Sequence, residues 1–196
     1  MRKTPQQFRR EAVKKLIDKI LKDKITKLKP VSISASESLN DDFTTTDFSF
    51  EETGTRGEVV SVLDSKGKGF IDGLFRGLHN RYATEYPSID KIKLVDIMVN
   101  PIMKASRTLG SDAPASIIFR VEVDSHGIAE FRHDSRSVIY SGFAAALSAF
   151  EFYINCERTF HKIKLIVEDA EHRNRGDILQ SCMSDLSKLT EVNTYA

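Results

Sequence analysis

The chain has 196 residues, 40% of them hydrophobic and 29% charged, with a formal net charge of +1. That composition belongs to a soluble globular protein able to bury a core without disulfide or metal staples. Two cysteines, Cys156 and Cys182, lie far apart and form no CxxC pair. No apolar run approaches the ~18–20 residues of a membrane span, and no secretory signal opens the chain. A reducing, cytoplasmic setting is therefore expected, with no membrane contact.

The near-zero charge hides a division. Residues 1–30 carry a local net of +8, which leaves −7 on the remainder. Within the basic segment, Phe8, Val13, Leu16, Ile17, Ile20, Leu21, Ile25 and Leu28 recur at three- and four-residue intervals. This predicts an amphipathic helix over 5–28, ended by Pro30. Lysines on such a helix commonly solvate the outer face of a docked element. Binding to nucleic acid or anionic lipid is the competing use of so much charge.

After Pro30 the period shortens to two. Strands are predicted over 31–38, 44–52 and 58–65. The loop Lys66-Gly67-Lys68-Gly69 then leads into a helix over 70–82, with Ile71, Leu74, Phe75, Leu78 and Tyr82 on one face. The order repeats: strands over 91–102, 115–124 and 128–135, then an apolar helix over 137–155. The strand 115–124 is a near-continuous apolar run and is expected to be central. A repeat near 69 residues places Gly73 on Gly142 and Leu78 on Leu147. The fold class this implies is α+β, two βββα units in pseudo-twofold arrangement, with an N-terminal helix and a C-terminal extension. Alanines 144, 145, 146 and 149 would allow close helix–helix approach. Within 157–196, residues 161–169 alternate as a strand does. Asp177 is placed to cap a short helix, and the tail from Thr190 is expected to fray.

The stretch GKGFIDGLFRGL (67–78) carries the most specific pattern. It resembles the signature of the regulatory domain of the 2-isopropylmalate and citramalate synthase family, matching at Gly67, Gly69, Asp72, Phe75 and Leu78, with Gly73 and Gly77 where alanines are usual. KLVDIMVN (93–100) resembles the strand opening that domain's second half. LGSDAPASIIFRVEV (109–123) is similar to its next turn and strand through Gly110, Asp112, Ala113 and Ala115, and YIN (153–155) to its closing helix. The resemblance covers about 31–156.

It implies a non-catalytic, homodimeric sensor of leucine or isoleucine, acting alone or with a separate catalytic synthase. Effector contacts would come from Gly67, Gly69, Ile71, Asp72, Asp112 and Ala113. Paired glycines at a helix start can present N–H groups to a carboxylate, and Asp72 and Asp112 could accept from an ammonium or orient the loops. The pattern breaks at His133-Asp134-Ser135-Arg136-Ser137, where a second glycine loop would stand. The family's catalytic barrel needs about 250 residues, and no His-x-His supplies its metal ligands, so no catalytic residue, metal or cofactor is assigned. His126 and His133 are the closest histidine pair, without a supporting carboxylate constellation. The alternative function is a structural or nucleic-acid-binding module working through the basic helix.

Overall fold

A computed structural model describes residues 4–54, 57–102 and 114–195, apart from the side chain of Ser125. Helix α1 spans Pro5–Leu21. Its start follows from a capping box: the Thr4 hydroxyl accepts from Gln7 N–H at 3.3 Å, and Gln7 Oε1 accepts from Thr4 N–H at 2.9 Å. Val13, Leu16, Ile17 and Leu21 form its buried stripe. The helix ends seven residues, about two turns, before the sequence period suggested. Lys22 turns left-handed at φ 56°, a short 3-10 turn covers Lys22–Lys24, and strand β1 begins at Lys27. Thr26 explains the early exit. Its N–H donates to Asn155 Oδ1 at 2.9 Å, and its carbonyl accepts from Asn155 Nδ2 at 2.8 Å. A buried amide thus holds the peptide extended, where helical bonding would otherwise continue. Pro30 lies inside β1 at a register irregularity between Pro30 and Ser32 on an edge strand, where a missing donor is tolerated.

β1 (Lys27–Ser38), β2 (Phe43–Thr53) and β3 (Glu58–Gly67) form one antiparallel sheet with β2 central. β4 (Ile92–Pro101), β5 (Ala115–Val123) and β6 (Ile128–Ser135) form the second, with β5 central as its apolar run predicted. Helix α2 (Phe70–Tyr82) follows the first sheet and α3 (Val138–His172) the second. The fold is α+β, two βββα units flanked by helices. Their helix caps, Gly69 and Ser137, set the structural correspondence. Counting from them, Gly73 answers to Ser141, one residue before the Gly142 that the sequence period selects.

The two units share one core. Phe48 of β2 meets Phe143 of α3 edge-on at 5.5 Å, and Phe75 of α2 meets Phe150 at 5.1 Å. The alanines at 144, 145, 146 and 149 are all buried. Gly142 allows α2 to come close, since a Cβ there would lie 3.1 Å from Ile71 Cδ1.

The C-terminal extension differs from its sequence reading. Residues 161–169 are not a strand, because α3 runs through them to His172. Phe160, Ile163 and Ala170 are buried at helical spacing, while Leu165 is 64% exposed, so the helical period prevails over the alternation. Helix α4 (Gly176–Thr190) packs on α3 and α1. Asp177 lies inside its first turn, with Arg175 at the cap. The tail is not frayed: Asn193 is fully buried and Tyr195 stacks on Phe160 at 4.4 Å. Both cysteines are free and buried.

Asp185 fastens α4 to α1, accepting from Lys188 at 2.8 Å and Lys19 at 3.1 Å. Burial alone would raise its carboxyl, but the two lysines outweigh burial and hold it below its ordinary value. A depressed carboxyl contributes stability above its unfolded pKa and loses it as pH falls through the folded one. Asp185→Asn should therefore cost about 1 kcal/mol at pH 7. The gap from the parent chain should close below about pH 4 in urea melts run across pH. A gap unchanged down to pH 2.5 would refute the ionic contribution.

Candidate ligand-binding loops and a basic groove

The β3–α2 junction holds four of the six sequence-predicted site residues together: Gly67, Gly69, Ile71 and Asp72. Asp112 and Ala113 lie outside the described residues. Gly67 has a packing role. A Cβ there would sit 2.2 Å from Gly73 N, so the strand end runs directly onto the α2 backbone. Gly73 and Gly77, which depart from the resemblance's alanines, have the same cause: their Cβ positions would lie 2.8 Å from Thr46 Oγ1 and from the Phe48 ring. Gly69 is different. It caps α2 at φ 92°, ψ 163°, a region essentially confined to glycine, and faces open space.

Asp72 is already engaged. Its Oδ2 accepts from Lys68 N–H at 2.8 Å and its Oδ1 from Arg76 Nε at 2.9 Å. Burial would raise this carboxyl, yet the Arg76 and Lys68 contacts lower it overall. Of the two roles read from sequence, orienting the loop fits this geometry better than accepting from an ammonium.

The second helix starts with different chemistry at a similar place. The Ser137 hydroxyl accepts from Tyr140 N–H at 3.2 Å, and Ser135 Oγ lies 2.8 Å from Ser141 Oγ. Serine hydroxyls here cap the helix that a glycine loop would otherwise open. The two helix starts adjoin, since the space beside Gly142 is filled by Ile71 Cδ1 and Phe70 Cε1. Beyond Ser137 the first turn of α3 leaves Val138, Ile139 and Tyr140 exposed at 48%, 51% and 45%.

His126 and His133 stand near opposite ends of β6. His126 Nε2 lies 2.9 Å from Thr194 Oγ1, and His133 packs edge-on to Tyr140. No group of three or more metal-ligating side chains occurs among the described residues. None of the described helices is long and apolar enough to cross a membrane.

A second feature was not anticipated from sequence. Between α1, β6 and α3 runs a groove of about 350 Å³ whose lining includes Arg10, Lys14, Asp18, Glu151, Phe131 and Phe152. The Arg10 guanidinium lies 3.8 Å over the Phe131 ring centre and 5.3 Å from that of Phe152, and donates to the Glu130 carbonyl. Its Nε is shielded from solvent without a partner. Burial pushes this guanidinium below its ordinary value, though an arginine stays cationic at neutral pH. The Lys14 ammonium is lowered by burial and then by Arg10. No local motif could have disclosed this groove, because it joins residues more than 100 positions apart.

Compared with protein-family models and with curated proteins, the chain matches none.

Proposed function

We propose that this chain is a non-catalytic, ligand-sensing regulatory domain, similar in kind to the allosteric domain of 2-isopropylmalate synthases. Leucine or isoleucine is its effector. The supporting observation is the junction of the two helix starts, where Ile71 and Gly142 meet beside an uncovered apolar turn at Val138–Tyr140. A helix start offers unpaired N–H groups and a favourable dipole to a carboxylate. The exposed apolar turn suits a branched aliphatic side chain. In this reading the protein is a cytoplasmic homodimer, acting alone or on a separate synthase.

A second copy would also cover apolar surface on β4. Ile97 and Val99 stand opposite Phe119 and Ile117 on the buried side of their sheet, yet remain 36% and 52% exposed. The nucleic-acid alternative draws less support, because α1 buries its apolar stripe within the body instead of projecting as a free arm.

The test is a thermal-shift titration with leucine, isoleucine and valine, confirmed by calorimetry, beside light scattering on the eluting species. One amino acid at about ten times its Kd should add about 1.4 kcal/mol, a rise of roughly 3–5 °C. The species should have twice the 22.1 kDa chain mass. Asp72→Asn keeps an acceptor for Lys68 N–H but loses the Arg76 ion pair, and should weaken the response without unfolding the protein. A flat response to all three at millimolar concentration would rule the effector out.

A further inference from the structure

We propose that the groove between α1, β6 and α3 is a binding site for a phosphate group, held by Arg10 and Lys14. The inference is independent of the amino-acid effector, whose proposed site is the junction of the α2 and α3 starts.

Cations normally reach a structure's interior with a carboxylate beside them. Arg10 has none. The Arg10 guanidinium meets the two phenylalanine rings and the Glu130 carbonyl, and its Nε has no acceptor among the described residues. Lys14, one helical turn on, makes no ion pair or hydrogen bond among the described residues.

The neighbouring charges do not resolve the excess. Glu151 accepts from Leu28 N–H at 2.9 Å and lies 3.6 Å from Lys27 Nζ, while Arg132 makes a two-pronged contact with Asp134 at 2.8 and 2.9 Å. Asp18 is the remaining carboxylate in the groove. Beyond burial, Arg10 therefore holds down the affinity of Lys14 for a proton, which Glu151 and Asp18 only partly offset.

A doubly charged oxyanion answers both cations at once, where a carboxylate answers one. Its oxygens suit the terminal N–H groups of a guanidinium held flat against its rings, since Nε is shielded from solvent. A phosphate monoester carries about −1.5 to −2 at neutral pH. The groove volume lies at the small end of the range for small-molecule sites, which fits inorganic phosphate or a small phosphorylated metabolite.

The experiment titrates the full chain with sodium phosphate against sodium chloride at matched ionic strength, reading melting temperature and the phosphorus NMR linewidth. Phosphate at about ten times its Kd should raise the midpoint by roughly 3–5 °C and broaden the phosphorus signal. Lys14→Gln changes an exposed, unpartnered side chain and should melt as the parent does while losing at least fivefold in affinity. Arg10→Met keeps a flexible apolar cover over Phe131 and should abolish the response. Adding glycerol 3-phosphate separates the two sources: tighter binding than phosphate assigns the site to a phosphorylated metabolite, and equal binding to the free ion. No phosphate-specific shift, or one unchanged in Lys14→Gln, would overturn the proposal. So would binding of a single-stranded oligonucleotide with phosphate inert, which would mark α1 as a nucleic-acid surface. Leucine titrations on the same variants should match the parent, so failure of either site is read separately.

Discussion

Phe150→Ala should lower the stability of the protein by about 3–5 kcal/mol, with a midpoint fall on the order of 10 °C. Phe150 is completely buried on α3, with ring centres 5.1 Å from Phe75 and 6.4 Å from Tyr82. Truncating it removes one of the contacts that tie the helix of the second unit to that of the first. The cavity cannot readily close. Tyr82 is held from its far side by a 2.7 Å hydrogen bond from its hydroxyl to Glu52, itself buried on β2. Burial, with Glu52 beside it, pushes the Tyr82 phenol far above its ordinary value, so it remains a donor at any working pH. Collapse of Tyr82 into the hole would leave a buried carboxylate without that donor, at a further cost of about 1–3 kcal/mol. Phe150→Leu fills most of the space and should cost about 1–1.5 kcal/mol. Urea unfolding measures both. An alanine variant within 1.5 kcal/mol of the parent at unchanged m-value would show that the two units do not depend on this contact.

The elements legible in the sequence are those whose pattern and packing agree. The alternation of β2, the apolar run of β5 and the one-sided period of α2 each reflect burial on a definite face, and their predicted bounds lie within two residues of those found. Errors fell where a distant residue decides the local conformation. Ile25 and Leu28 continue the helical period of α1, yet Asn155 holds Thr26 extended from 129 positions away. Ile163, Leu165 and Val167 alternate like a strand, but only Ile163 of the three is fully buried, and it belongs to the same helical stripe as Phe160. The tail looked polar and terminal, and nothing local announced that Tyr195 would stack on Phe160. For the site, the glycine loop was visible as a motif, whereas its division into packing and open positions needed the helix against the sheet. The Arg10 groove had no local signature at all.

That division makes the glycine loop testable in its own right. Gly67→Ala should cost about 3 kcal/mol or more, because the nearest atoms are backbone atoms of α2 at 2.2, 2.6 and 2.7 Å, none of which can rotate away. Either α2 lifts from the sheet or β3 unpairs from Thr44 at its last rung. Lifting α2 would also disturb Gly73 and Gly77, which depend on the same close approach to β2. Gly69→Ala meets no atom, and its cost is backbone strain alone, about 1–3 kcal/mol, relieved if the loop rearranges ahead of the helix. The two variants should therefore separate in kind as well as size. Gly67→Ala should broaden hydrogen-exchange protection loss across α2 and β3, and Gly69→Ala should confine it to the loop and the first turn. An effector response lost in Gly69→Ala while α2 stays protected would tie ligand binding to the loop itself. Equal destabilisation with the same exchange pattern would mean that Gly67 does not set the helix-to-sheet distance, and that the motif acts as one flexible turn.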